Sequence, residues 1–209
     1  MYQTTDFIIM KKLVLFFGVI ALSFAPADTQ LTADERKAAI EKLTQTQEHM
    51  LKVLKGLSAA QLNYKADPAS WSVAECAEHI AISETLVWGM VEGALKQPAD
   101  ASKRGDVKMK DDQIFAMISD RTNKVKTQEP LEPKNKFSSL EGSVKEFQEK
   151  RAAHMEFVKN TKEDLRDRYV QLKFGTIDAY QAILFLAGHT ERHVKQMEEV
   201  IASASFPKK

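Results

Sequence analysis

Apolar residues recur along this chain at intervals of three and four, the spacing that gathers side chains on one face of a helix. Ile40, Leu43, Met50, Leu51, Val53, Leu54 and Leu57 form the first such series. It starts behind Thr32-Ala33-Asp34-Glu35, a capping box whose hydroxyl and carboxylate satisfy the free amides of a helix start. The pattern predicts a helix over 33–55, stopped by Gly56, then a short turn between Ser58 and Tyr64 and a loop around Pro68. Ser72-Val73-Ala74-Glu75 is a second capping box, flanked by Trp71 and Cys76 in hydrophobic-staple positions, and predicts a second helix over 73–96.

A weaker amphipathic stretch covers 111–128, with Ile114, Phe115, Met117, Ile118 and Val125, before Pro130 and Pro133 interrupt it. Ser138 to Glu141 caps a third long helix over 139–162, whose core candidates are Leu140, Val144, Phe147, Ala152, Met155 and Val158. The last helix should begin after Gly175, capped by Thr176, and reach about Ser203. Tyr169 to Phe174 could be extended but has no evident strand partner. The expected fold is all-α: a four-helix bundle with a long connection, 97–138, between its second and third helices, carrying an extra shorter helix.

The amino terminus has a different character. Lys11 and Lys12 precede an apolar run from Leu13 to Phe24, and Ala25-Pro26-Ala27 follows. This describes a secretory signal peptide over 1–27, which translation from Met10 would open directly. The run is shorter than the roughly 20 residues a spanning helix needs, so an uncleaved anchor is the lesser alternative. The reading therefore expects export to the periplasm or medium, a domain over 28–209, and no membrane association after cleavage.

Composition narrows the partners. Thirty basic and 29 acidic side chains leave a formal charge of +1, without the basic excess of a phosphate-tracking protein, so a nucleic-acid partner is not expected. A single cysteine, Cys76, excludes an intrachain disulfide framework and a cysteine-rich zinc site. It reads as a packing residue, with metal ligation as the alternative.

The candidate chemistry lies in the histidines. His189 and His193 are four residues apart on an otherwise apolar stripe of Ala182, Leu186, Met197 and Val200, so both rings should face the bundle interior. Two stacked imidazoles there need partners, either other polar groups or a shared cation. His79 in the second helix favours the cation: three neutral imidazoles from two helices, with a coordination position left open, make a catalytic-type divalent site. Glu75 could be a fourth ligand, a hydrogen-bond acceptor for a ligand or a capping carboxylate, and the capping box already explains it. Glu191 is two steps from His189, a rotation of roughly 200°, so the zincin pattern fails. His49 and His154 read as surface or boundary residues.

Two segments then resemble a known family. Leu62 to Glu75 with its Trp71-Ser72-Val73-Ala74-Glu75 start, followed by His79-Ile80, and Gly188-His189-Thr190-Glu191-Arg192-His193-Val194-Lys195-Gln196 resemble the two signatures of the DinB-like (YfiT-like) superfamily. The resemblance spans 32–203. It implies a four-helix bundle with a divalent ion, Zn or Ni, held by the residues matching His79, His189 and His193. It further implies hydrolase or thiol-transferase chemistry on a small-molecule substrate, in which the ion activates a water or thiol. A non-catalytic metal- or ligand-binding bundle is the alternative. Trp71 and Tyr64 are candidates for the pocket mouth, and a bundle of this kind also allows a homodimer.

Overall fold

The computed structural model describes residues 30–208, so the expected signal peptide lies outside the described residues. In chain order the elements are α1 (Ala33–Leu54), α2 (Ala59–Asn63), α3 (Val73–Leu95), α4 (Asp111–Ser119), α5 (Leu140–Asn160), β1 (Tyr169–Leu172), β2 (Gly175–Asp178) and α6 (Ala179–Ile201). Short 3-10 turns at Ala101–Asp106 and Glu129–Leu131 punctuate the connection between α3 and α5. The four long helices form the expected all-α bundle, and Thr32/Glu35 and Ser72/Glu75 close the two expected capping boxes. No described helix is long and apolar enough to cross a membrane.

Three boundaries depart from expectation. The 111–128 stretch is helical only to Ser119, because the Asp120 carboxylate captures the Thr122 amide and hydroxyl in a local turn, at 2.9 and 2.6 Å. The Arg192 guanidinium also draws on the carbonyls of Asp120 and Asn123, and Val125 ends up 75% exposed. The last helix is capped by Asp178, not Thr176, since 169–178 folds as an antiparallel hairpin pairing Tyr169 with Asp178 and Leu172 with Gly175. Four-residue strands are too short to leave a clear alternation in sequence. On α5, Ser139 is the cap, Ala152 is exposed, and the neighbouring Arg151 is fully buried.

Arg151 is central to the bundle. All five of its N–H donors are used. Nε and Nη2 hold the Glu84 carboxylate of α3, Nη1 reaches the Leu43 carbonyl and Thr46 hydroxyl of α1, and Nη2 reaches Thr190 Oγ1 of α6 at 2.7 Å. His154 adds a 3.0 Å bond to Glu84 and stacks on Trp88 at 3.9 Å, so it is a buried core residue rather than a boundary one. Burial alone would raise the Glu84 pKa; Arg151 and His154 outweigh it and hold the carboxyl below its usual range.

This polar layer divides the apolar core in two. Along α1 the order is Leu43, Thr46, Met50, and along α6 it is Ala187, Thr190, Val194; α3 and α5 pass the same halves in the opposite order, as Ile80, Glu84, Val87 and Phe147, Arg151, Val158. Hence α1 and α6 run one way and α3 and α5 the other. Because α3 and α5 are parallel neighbours, the chain between them must travel the length of the bundle. It does so over α6, and Gly188 permits the close approach: a Cβ there would lie 3.1 Å from the Phe115 carbonyl oxygen of α4.

Removing one partner of a buried ion pair strands the other, so Arg151→Met should lower unfolding free energy by about 3–5 kcal/mol. Urea denaturation measures this, and the Arg151→Met/Glu84→Leu pair should recover part of the loss. A single-variant change below about 1 kcal/mol, the range of exposed pairs, would contradict the clamp.

Candidate metal centre

Capping and packing place the three histidines before any ligand is considered. The Ser72–Glu75 box fixes the start of α3, which puts His79 two turns inside the bundle, and the apolar stripe of α6 turns His189 and His193 toward it. One ring nitrogen from each of the three lies within 4.8 Å of the others. His79 Nε2 and His189 Nε2 are 3.3 Å apart, and the ring centroids of His79 and His193 are separated by 4.2 Å. Two ligands at about 2.0–2.1 Å on a tetrahedral zinc ion stand about 3.3 Å from each other, so the spacing fits a shared ion.

The tautomers agree with that fit. The Leu131 carbonyl can only accept, so His79 Nδ1 donates to it at 2.6 Å and leaves Nε2 with a free lone pair. His193 Nδ1 lies 3.0 Å from Gln196 Oε1. The same oxygen accepts from Arg121 Nη1 at 3.1 Å, which sets the amide orientation, because a guanidinium has no acceptor. Arg121 is anchored in turn by both oxygens of Glu199, at 2.8 and 2.7 Å. His189 Nδ1 is buried and finds no partner among the described residues, leaving only its Nε2 engaged, against another imidazole.

Electrostatics keeps the rings neutral. Burial lowers the His79 pKa against the opposing Leu131 bond. Burial, with His79 and Arg192 adding to it, pushes His189 down to about 3, and burial with the two neighbouring rings lowers His193 well below an ordinary imidazole. Neutral imidazole is the form that ligates. The donor set therefore suits a borderline-soft divalent ion.

Around the rings opens a cavity of about 1080 Å³. Trp71 lines it beside His79 and His193, at centroid distances of 4.7 and 5.8 Å, deeper than the mouth position the sequence suggests. Tyr64 does not join it; its ring packs edge-on against Phe206. Glu75 lines the cavity with both oxygens engaged, by the Ser72 amide at 2.8 Å and Lys65 at 2.7 Å, which agrees with capping rather than ligation. Cys76 is a buried packing residue whose pKa burial drives upward. The opposite wall comes from the α4 region and the loop after it, including Met117, Ile118 and Lys124.

Several contributors had no sequence signature. A backbone carbonyl such as Leu131 cannot be read from side-chain types, and Arg121 and Phe174 reach the cavity only through the crossover and the hairpin. Gln196, one turn from His193, was accessible from helical spacing alone. Glu78, beside His79, accepts the amides of Lys134 and Lys136 at 3.0 and 2.6 Å and so ties down the segment that carries Leu131. His49, expected at the surface or boundary, is half-buried and bridges Glu191 and Glu198 of α6 at 3.0 Å each. Glu191 thus points away from the site, as its helical position predicts.

Comparison with known proteins follows the same lines. Residues 42–197 match the family model described as the DinB superfamily. The uncharacterized protein YuaE of Bacillus subtilis (strain 168) is 27% identical over 148 residues, covering 70% of this chain and 87% of that protein. In three dimensions the chain is similar to YfiT from Bacillus subtilis, described as "a probable metal-dependent hydrolase with an unusual four-helix bundle topology". The TM-score is 0.55 at 14% identity, over 82% of this chain and 88% of that one.

Replacing His189 by Ala should weaken Zn²⁺ or Ni²⁺ binding by more than about a hundredfold, since even an outer-shell partner is worth 10–100-fold. His49→Ala should leave binding unchanged, and calorimetric titration of both variants decides; equal effects would refute the assignment. For His49, partial burial opposes the charged ring, but Glu191 and Glu198 outweigh it and raise its pKa above 6.5. Its contribution to stability is then full below the free-imidazole pKa and disappears as pH rises through the raised folded value. Urea unfolding of wild type and His49→Gln should therefore converge with rising pH; a gap that widens would contradict the bridge.

Proposed function

The chain belongs to the DinB superfamily, and from that premise we propose that it is a divalent-metal-dependent enzyme of hydrolase or thiol-transferase type. The observation that carries the reading is the convergence of three neutral imidazoles beside a large solvent-open cavity. A purely structural ion would be better served by a closed four-ligand site, whereas three protein ligands and an open approach belong to catalytic ones. The description of YfiT as a probable metal-dependent hydrolase, a protein of similar fold, supports the same class.

His79, His189 and His193 would hold the ion, Zn²⁺ or Ni²⁺. When bound, such an ion supplies Lewis acidity and lowers the pKa of a water or thiol toward neutrality. The chain's own residues do the rest. Leu131 and Gln196 fix two ring orientations through Nδ1–H bonds, which also raises the basicity of the opposite nitrogens. Trp71 and Phe185 flank the rings and shape the approach to them. The carboxylates on the wall are engaged elsewhere: Glu75 by Lys65, Glu199 by Arg121 and Glu132 by Lys134. That leaves the imidazole face of the cavity for the reacting group. Export, supported by the Lys11 to Ala27 pattern, belongs to the same proposal.

The test is metal analysis of protein purified without a histidine tag, followed by screening of the loaded protein against esters, amides and thiol adducts. About one equivalent of divalent metal is expected, with an activity that chelation removes and metal restores. Less than about a tenth of an equivalent, with no binding on titration, would overturn both enzymatic readings.

A further inference from the structure

The cavity wall is uneven in a way that bears on what enters it. Four large apolar side chains are notably exposed among the described residues, Leu86, Met117, Val125 and Phe174, and the last three line this cavity. Phe174, 42% exposed on the hairpin turn, lies parallel to Phe185, which lies parallel to His189, with centroid steps of 6.4 and 6.3 Å and 8° between planes in each case. A graded aromatic and aliphatic surface thus leads from solvent to the histidines. Exposed apolar area that gathers in one concave place marks a binding site rather than chance.

The charges on the same wall fall into two groups. Lys65 and Arg121 are paired with Glu75 and Glu199, and Glu132 pairs with Lys134. Asp67 is turned onto the Ala69 amide of its own loop. Lys124, Lys126 and Arg192 also line the cavity, and none of them has a carboxylate within ion-pair distance among the described residues. Lys124 acts on Glu199 from beyond contact distance, and Arg121 already holds that carboxylate at two points. Arg192 donates to two backbone carbonyls and feels Asp120 and Glu199 without touching either carboxylate.

Cations that no carboxylate contacts, beside an exposed apolar surface, are complementary to one class of molecule. We propose that the cavity takes an amphipathic organic acid, with an apolar body against Phe174, Phe185 and Met117 and a carboxylate toward Lys124, Lys126 and Arg192. This rests on the reading of the cavity as the substrate site and narrows its substrate class. An amine of the same shape would face three cations that no carboxylate contacts, and a neutral alcohol would leave them without an anionic partner.

Three probes of one shape test this: 4-phenylbutyrate, 4-phenylbutan-1-ol and 4-phenylbutylamine, titrated by calorimetry into the full metal-loaded chain. The acid should bind about tenfold more tightly than the alcohol, as two or three exposed cations worth a few-fold each require, and the amine most weakly. Lys124→Glu/Lys126→Glu should abolish the acid's advantage while metal content stays the same, and Lys124→Arg/Lys126→Arg should keep it. An acid that binds no better than the alcohol, or no binding by any probe, overturns the proposal. An advantage that survives the Glu pair also overturns it, since the carboxylate would then be recognised elsewhere, for example by the ion itself. Metal content measured on the same samples separates the two readings: absence of metal with the acid preference intact sinks the enzyme assignment and leaves this one standing.

Discussion

The arrangement depends on one buried guanidinium. Arg151 touches α1, α3 and α6 from α5, so it fixes the axial position of all four long helices at once. A buried ion pair contributes little net stability, because desolvation offsets much of its attraction. Its effect here is registry. Glu84 lies five residues beyond His79 on α3, and Thr190 adjoins His189 on α6, so the layer that joins Glu84 to Thr190 also sets the height at which the imidazoles meet. An apolar core could slide by a fraction of a turn at modest cost; five directional hydrogen bonds from one planar group cannot.

A second constraint follows from chain direction. Parallel neighbours cannot be joined by a tight turn, so the segment between α3 and α5 crosses the whole bundle, and Gly188 lets α4 lie close on α6 as it does. What topology demands, the site uses. The crossover brings the Leu131 carbonyl to His79 and supplies most of the cavity wall opposite Trp71. Glu78 anchors it next to His79, the ring it orients. The long connection is therefore part of the centre, which explains how a bundle of four plain helices comes to hold an open pocket at its side.

Much of this was legible in the sequence, for physical reasons that differ by residue. Capping boxes at Thr32 and Ser72 and the apolar stripe through His189 and His193 are local or helical-periodic signals, and they gave the helices and the histidine triad directly. Arg151 and His154 were hidden, because charged and polar residues on a helix ordinarily face water, and nothing local announces a partner 67 residues away in Glu84. Of the hairpin at 169–178 the first strand is legible as an extended segment, but its partner is not, because each strand has only two residues per face. The fraying of 111–128 after Ser119 turned on Asp120, a helix-stopping side chain that periodicity does not weigh.

The proposed centre requires three imidazole nitrogens from α3 and α6 to meet at one cation. Diffraction from crystals of the metal-loaded protein, with anomalous data collected on both sides of the metal absorption edge, tests it most directly. One strong peak is expected about 2.0–2.1 Å from a nitrogen of each of His79, His189 and His193. A peak bound by other residues, or the three rings turned apart with none between them, would contradict it.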